Sequence, residues 1–232
     1  MKEILKCIVG SQAHELAGPD SDFDYRGVFI VPTSEILKLG GSVKHTSWIE
    51  GKEDDTSWEI GHFLNLAAHC NPTILEVFLA PTMKESFVKN PSQEIIKLNI
   101  TPEGEELREL FPKVWNSQGV RDAFIGYGLN QRKKFLEEKD GRPAKFAVAY
   151  LRTLYQAYHL LTTGTFPISM KGTEIYETLK EWKTGKYEIG DVIQKCHGWQ
   201  KLVELAFEKN PDKQTDVDAV NRFLLKIRKE NW

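Results

Sequence analysis

The spacing of apolar residues changes near the middle of the chain, and this change limits the folds open to it. Up to about residue 100, short β-type runs alternate with turn residues, as in 4–9 and 23–31, the second closed by Pro32. From about residue 120, apolar residues recur at helical spacing through 121–138, 143–163, 173–183 and 215–228. The pattern predicts an α+β protein: a small mixed β-sheet domain with helices, residues 1–110, followed by an α-helical bundle domain, residues 111–232.

The composition is typical of a soluble globular protein. Hydrophobic residues make up 41% of the 232 residues and charged residues 28%, and no apolar run is long enough for a membrane helix. The net charge of -2 predicts no general attraction to nucleic acid or to an anionic membrane. Three distant cysteines fit neither a disulfide framework nor a paired zinc site, and the first residues lack the features of a secretory signal. We therefore expect a cytoplasmic protein.

The end of the first apolar run is a candidate anion site. The run ends at Val9 and is followed by Gly10 and Ser11. A short helical turn at this point would direct free backbone N–H groups and one hydroxyl at a single position. Gly10 would allow a close backbone approach, and Ser11 would add a donor. Gly10 and Ser11 are therefore predicted to bind the phosphates of a nucleotide.

The second apolar run carries a pair of carboxylates at its start. Asp22 and Asp24 are two residues apart, so on a strand both side chains point to the same face, while Phe23 and Tyr25 point to the other. Two adjacent carboxylates repel each other unless a cation lies between them, and hard oxygen ligands suit Mg²⁺ or Mn²⁺. An Asp-x-Asp pair alone is usually a solvated turn. Its combination with the preceding Gly-Ser favours a functional site.

These residues resemble the hallmark of the DNA polymerase beta superfamily of nucleotidyltransferases, in particular its small stand-alone bacterial and phage-type members. The matching residues are Gly10, Ser11, Asp22 and Asp24, and the stretches 20–28 and 71–76 look like one such subfamily. The resemblance covers most of the first half of the chain and, more loosely, the helical second half.

The resemblance implies a third carboxylate on a neighbouring strand, which would complete a site for two metal ions. Asp55 is the preferred candidate, because it begins the short alternating run 55–60. Asp54 and Glu59 are alternatives, and the run of acidic residues at 53–55 could equally form a solvated turn.

The resemblance also implies that the helical half supplies groups to the triphosphate. Lys145 and Arg152 are seven residues apart on one side of the predicted helix 143–163, and Tyr155 lies near them. The alternative for each cation is an ordinary solvated helix face. Two residues of the first half stay open: His14 either packs or lines the phosphate site, and Glu76 either lines the cleft or caps a turn.

The function predicted from these residues is transfer of a nucleoside monophosphate from a nucleoside triphosphate such as ATP to a hydroxyl acceptor, with Mg²⁺ or Mn²⁺ as cofactor and pyrophosphate as product. The acceptor, an RNA end, a protein or a small molecule, is left open. One alternative is a nucleotide-binding or partner-binding regulatory module that has lost turnover. Another is a different Asp-x-Asp enzyme, such as a glycosyltransferase or a phosphatase.

Overall fold

A computed structural model describes residues 1–19, 21–40, 45–47, 55–82, 86–89 and 95–232. Its contacts divide the chain into two compact units. The first, the sheet unit, consists of Met1–Ala68, Thr73–Val114 and Thr215–Trp232. The second, the helical unit, consists of His69–Pro72 and Trp115–Gln214. The predicted α+β class is confirmed.

The sheet unit contains six strands within the described residues. They are β1 (Lys2–Val9), β2 (Asp24–Ile30), β3 (Thr46–Ser47), β4 (Asp55–Glu59), β5 (Ser86–Lys89) and β6 (Ile95–Ile100), in the order β3-β4-β2-β1-β6-β5. Strand β2 pairs in parallel with β4, and the other pairs are antiparallel. The apolar runs at 4–9 and 23–31 are therefore strands, as predicted, and the sheet order makes them central neighbours.

Seven helices accompany the sheet in the described part of this unit: α1 (Gly10–Ala13), α2 (Thr33–Ile36), α3 (Ile60–Ala68), α4 (Pro72–Leu79), α5 (Pro102–Glu109), α6 (Phe111–Val114) and α11 (Val217–Glu230). The rings of Phe63 on α3 and Phe78 on α4 lie 5.0 Å apart, and both side chains are fully buried. Trp58 of β4 packs on Phe63, which joins the two helices to the sheet. Burial of these aromatic rings is a large apolar contribution to the stability of the unit.

The helical unit consists of α7 (Ser117–Leu136), α8 (Pro143–Thr163), α9 (Tyr176–Lys183) and α10 (Ile189–Lys209), with a short 3-10 turn at 139–141. Helix α8 packs against α7, α9 and α10. It ends at Gly164, whose φ of 71° suits the left-handed position after a helix. The periodic stretches of the sequence correspond to α7, α8, α9 and α11, whereas α10 was not predicted.

The last helix belongs to the sheet unit, although the sequence placed it with the helical domain. Arg228 of α11 forms an ion pair of 2.7 Å with the buried Glu59, and its carbonyl accepts the hydroxyl of Thr33 at 2.6 Å. The Thr33 contact joins residues 195 positions apart, and periodicity within a segment carries no information about such contacts. Across the described residues, no helix is both long and apolar enough to cross a membrane.

Candidate active site

The antiparallel ladder between β1 and β2 brings the Gly-Ser turn and the Asp-x-Asp pair together. Its last pair joins Val9 to Asp24, and the chain then leaves the sheet into α1 at Gly10. A Cβ atom added at Gly10 would lie 2.2 Å from Oδ2 of Asp24. The backbone of the turn therefore contacts the carboxylate, and a side chain at position 10 would occupy the same space.

Gly10 is held at both its backbone polar groups. Its N–H donates to Oε1 of Glu76 on α4 at 3.2 Å, and its carbonyl accepts the N–H of His14 at 3.0 Å. Its φ of +68° is in the left-handed region, which glycine adopts without strain. Because Glu76 occupies the Gly10 amide, phosphate contacts would begin with the hydroxyl of Ser11 and the next amides of α1, whose first-turn N–H groups have no acceptor within the helix.

Asp22 lies just before β2 rather than on it. Strand β1 ends at Val9, so the ladder ends at Asp24 and Asp22 follows the turn at Gly18–Ser21. In that turn the Gly18 N–H donates to the Ser21 hydroxyl at 2.8 Å. The rings of Phe23 and Tyr25 stack at 6.2 Å, which indicates an extended backbone with both rings on one face. Asp22, which is exposed, and Asp24 therefore point to the opposite face.

Asp55 lies on the other face of the sheet from Asp24. It pairs with Tyr25 across β2 and β4, so its side chain shares the face of Tyr25 and not that of Asp24. There Oδ2 of Asp55 accepts Nζ of Lys6 at 2.7 Å. In the residues that the structure describes, no three His, Cys, Asp or Glu side chains lie close enough to hold a metal ion. The predicted third ligand is therefore not brought to the pair.

Of the two alternatives for that ligand, the structure describes only Glu59. Glu59 is buried beside the last helix, where it accepts the Gly61 N–H at 2.7 Å and pairs with Arg228. Asp54 lies outside the described residues.

Comparison with known protein families finds a match over most of the chain. The RNA repair pathway DNA polymerase beta family matches residues 1–226. The chain belongs to this family. Membership joins it to the polymerase beta-type nucleotidyltransferases and to RNA repair, and the match covers both the sheet unit and the helical unit. A comparison with curated proteins found no match.

The carboxylates present fit the divalent cation that such nucleotidyltransferases use. Mg²⁺ is commonly held by one or two carboxylates, and water and substrate phosphates complete its octahedral shell. Asp22 is exposed and Asp24 is half-buried. The contact between Asp24 and Gly10 would place such an ion beside the turn that the sequence predicts to bind phosphates.

The three predicted nucleotide contacts of the second half all lie on α8 of the helical unit. Lys145 is exposed, and Nη1 of Arg152 donates to Gln156 at 3.2 Å. Tyr155 is buried, and its hydroxyl donates to Oε2 of Glu174 at 3.0 Å. Burial, together with this bond, raises the pKa of Tyr155 to about 12. Their contact with a nucleotide stays a prediction.

Sequence reasoning gave no firm role to Glu76 and His14, the residues that contact the turn. Glu76 comes 66 residues after Gly10, and a single acidic residue within an apolar helix reads equally well as a cap or as a cleft residue. The available signal was its position in the stretch 71–76, which also carries the family resemblance.

Proposed function

We propose that this protein is a Mg²⁺- or Mn²⁺-dependent nucleotidyltransferase that transfers a nucleoside monophosphate from a nucleoside triphosphate to a hydroxyl acceptor. The observation that carries the proposal is the contact between Gly10 and the carboxylate of Asp24. One bound nucleotide can then reach both the phosphate-binding turn and a metal held by Asp22 and Asp24. The family of the chain supports the same reaction class.

In the proposed reaction the acceptor oxygen forms a bond to the α-phosphorus and the bond between the α- and β-phosphates breaks. Pyrophosphate leaves with the bonding electron pair, and the hydroxyl proton passes to solvent. Ser11 and the amides of α1 would donate to phosphate oxygens, and Asp22 and Asp24 would hold the metal. A bound divalent cation neutralises the phosphate charge and lowers the pKa of the acceptor hydroxyl.

Lys145 and Arg152 are proposed to add positive charge near the phosphates. Tyr155 remains a candidate contact and Asp55 a candidate third carboxylate, which Tyr155→Phe and Asp55→Asn test. An RNA end is the acceptor that the family description favours, with a protein or a small molecule as the other candidates. ATP as the donor and a cytoplasmic location remain predictions from the sequence.

A second candidate is a nucleotide-binding regulatory module without turnover. The observation that favours it is the separation of Asp55 from Asp24, because a two-metal site of this reaction class uses more than a pair of carboxylates. In this case the protein would bind a nucleoside triphosphate with Mg²⁺ and release no pyrophosphate with any acceptor.

The experiment that tests the proposal incubates the full chain with each α-labelled nucleoside triphosphate, Mg²⁺ or Mn²⁺, and separate pools of RNA, protein and metabolites. Label transfer and pyrophosphate release are measured for the wild type, Asp22→Asn, Asp24→Asn and the control Asp212→Asn, whose carboxylate is exposed in the helical unit. We expect transfer that EDTA abolishes and that only the control variant retains. Full activity in both site variants would refute the proposal, and nucleotide binding without pyrophosphate release would favour the regulatory module.

A further inference from the structure

A buried acid and a buried histidine lie directly behind the Gly10–Ser11 turn. Glu76 is 7% exposed and His14 is 3% exposed. Nε2 of His14 lies 3.3 Å from Oε1 of Glu76, the same oxygen that accepts the Gly10 N–H. Burial of a carboxylate is costly unless it is hydrogen-bonded or paired; here the Gly10 N–H supplies the hydrogen bond and the His14 imidazole, when protonated, an ion pair.

These contacts form a closed ring. The Gly10 N–H donates to Glu76, Glu76 contacts the imidazole of His14, and the His14 backbone N–H donates back to the Gly10 carbonyl. Gly10 is therefore fixed from two directions, by a side chain of α4 and by the first turn of α1.

The position of the turn is important because Gly10 is already in contact with Asp24. A Cβ at Gly10 would lie 2.2 Å from Oδ2 of Asp24, so a small displacement of the turn would either press it onto this carboxylate or open a gap. The position of Glu76 therefore determines the distance between the groups that would bind phosphate and the carboxylate that would bind metal. Catalysis of phosphoryl transfer depends on such positioning, and errors of about 1 Å can cost a factor of 100.

We propose that Glu76 and His14 are a positioning pair that holds the Gly10–Ser11 turn at the spacing from Asp24 needed to receive a triphosphate. This inference rests on the proposed nucleotidyltransferase function and adds two residues to it. In this arrangement neither residue contacts the substrate. The Gly10 amide donates to Glu76, so Ser11 and the amides after it would bind the phosphates.

The test uses inorganic triphosphate with Mg²⁺, which needs no knowledge of the preferred base. Its affinity is measured by calorimetry for the full-length wild type, Glu76→Ala, Glu76→Gln and the control Glu105→Gln, an exposed position of α5. We expect Glu76→Ala to weaken binding by about tenfold, the equivalent of one charge-assisted hydrogen bond. Glu76→Gln keeps an oxygen for the Gly10 N–H, so it should recover most of this loss.

The same variants are assayed for turnover, and melting temperatures are recorded. The KM for the nucleoside triphosphate should rise as the triphosphate affinity falls, and kcat should change less. A purely structural role would not produce this difference between KM and kcat. Two results would overturn the positioning role and leave the proposed function standing. One is folded Glu76→Ala that binds triphosphate with wild-type affinity, and the other is Glu76→Gln that binds triphosphate no more tightly than Glu76→Ala. No triphosphate binding by the wild type would overturn the proposed function as well.

A measurement without substitution covers the case in which Glu76→Ala does not fold. Hydrogen exchange at the Gly10 amide of the wild type should be slow, because the amide is bonded to a buried carboxylate. Exchange at the rate of an exposed loop amide would contradict the ring of contacts and overturn the proposal.

Discussion

Gly10 and Asp24 are in direct contact across the end of the β1–β2 ladder. A methyl group at Gly10 would lie 2.2 Å from Oδ2 of Asp24, well inside the contact distance of the two atoms. The glycine is thus required by the neighbouring carboxylate as much as by its own positive φ.

Gly10→Ala should therefore disable the site. The positive φ costs roughly 1–2 kcal/mol for alanine, and the displaced carboxylate should lower turnover by about a hundredfold. Melting temperature and label transfer are measured together. The control is Gly40→Ala, where φ is +71° and nothing lies within 4 Å of the added Cβ. It should lose comparable stability and keep its turnover; equal turnover in the two variants would contradict the contact.

Asp55→Asn tests whether Asp55, on the sheet face opposite Asp24, is a metal ligand or only the ion-pair partner of Lys6. Because Asp55 pairs with Lys6 on the face away from Asp24, we expect most of the turnover to remain and the free energy of unfolding to fall by at most about 1 kcal/mol. Lys6→Met should lower that free energy by a similar amount. Turnover as low as that of Asp24→Asn would restore Asp55 as the third metal ligand.

Arg228→Met should destabilise the sheet unit strongly. It leaves the carboxylate of Glu59, which is 2% exposed, without its partner, and breaking a buried ion pair costs about 3–5 kcal/mol. Urea unfolding measures the loss. Arg222→Met, an exposed arginine on the same helix, should change the free energy of unfolding by no more than about 0.5 kcal/mol. Equal losses would mean that the Glu59 pair does not anchor α11.

Stability should fall at alkaline pH because of Cys7. Burial, with a smaller contribution from the charge of Glu76, raises the pKa of this thiol from 9.0 to about 12. Between these values the unfolded chain releases the proton and the folded chain keeps it. Folding should therefore lose about 1.4 kcal/mol per pH unit above pH 9 from this group.

The measurement is urea unfolding at pH 8, 9, 10 and 11 for the wild type and Cys7→Ala. Burial also raises the pKa of Cys70 and Cys196, so the variant should keep part of the slope. An identical slope in both proteins would contradict the shift at Cys7.

Tyr155→Phe distinguishes a structural role of the Tyr155 hydroxyl from a contact between this hydroxyl and the nucleotide. Its hydroxyl donates to Glu174, so removal should lower the free energy of unfolding by about 1 kcal/mol and leave the KM for the nucleoside triphosphate unchanged. Glu174→Gln serves as the matched partner in a double-mutant cycle. A rise in KM without loss of stability would instead support the nucleotide contact predicted from the sequence.

Local sequence patterns were sufficient for much of this fold. Apolar runs and periodicities depend only on residues close together in the sequence. They agree with the strands at Lys2–Val9 and Asp24–Ile30 and with the helix at Pro143–Thr163. Helix α10 was missed because its apolar positions are interrupted by polar residues such as Gln194 and Lys195 and by Gly198, and its packing on α8 and α7 makes it part of the core.

By itself, the sequence determined the α+β class and the order of Gly10, Ser11, Asp22 and Asp24, because backbone period and motif spacing are local properties. The tertiary structure decided the rest. The register of β4 against β2 put Asp55 on the face of Tyr25, and the packing of α4 brought Glu76 to Gly10. A shift of one residue in register exchanges the two faces of a strand, and register depends on contacts between distant segments that no local pattern records.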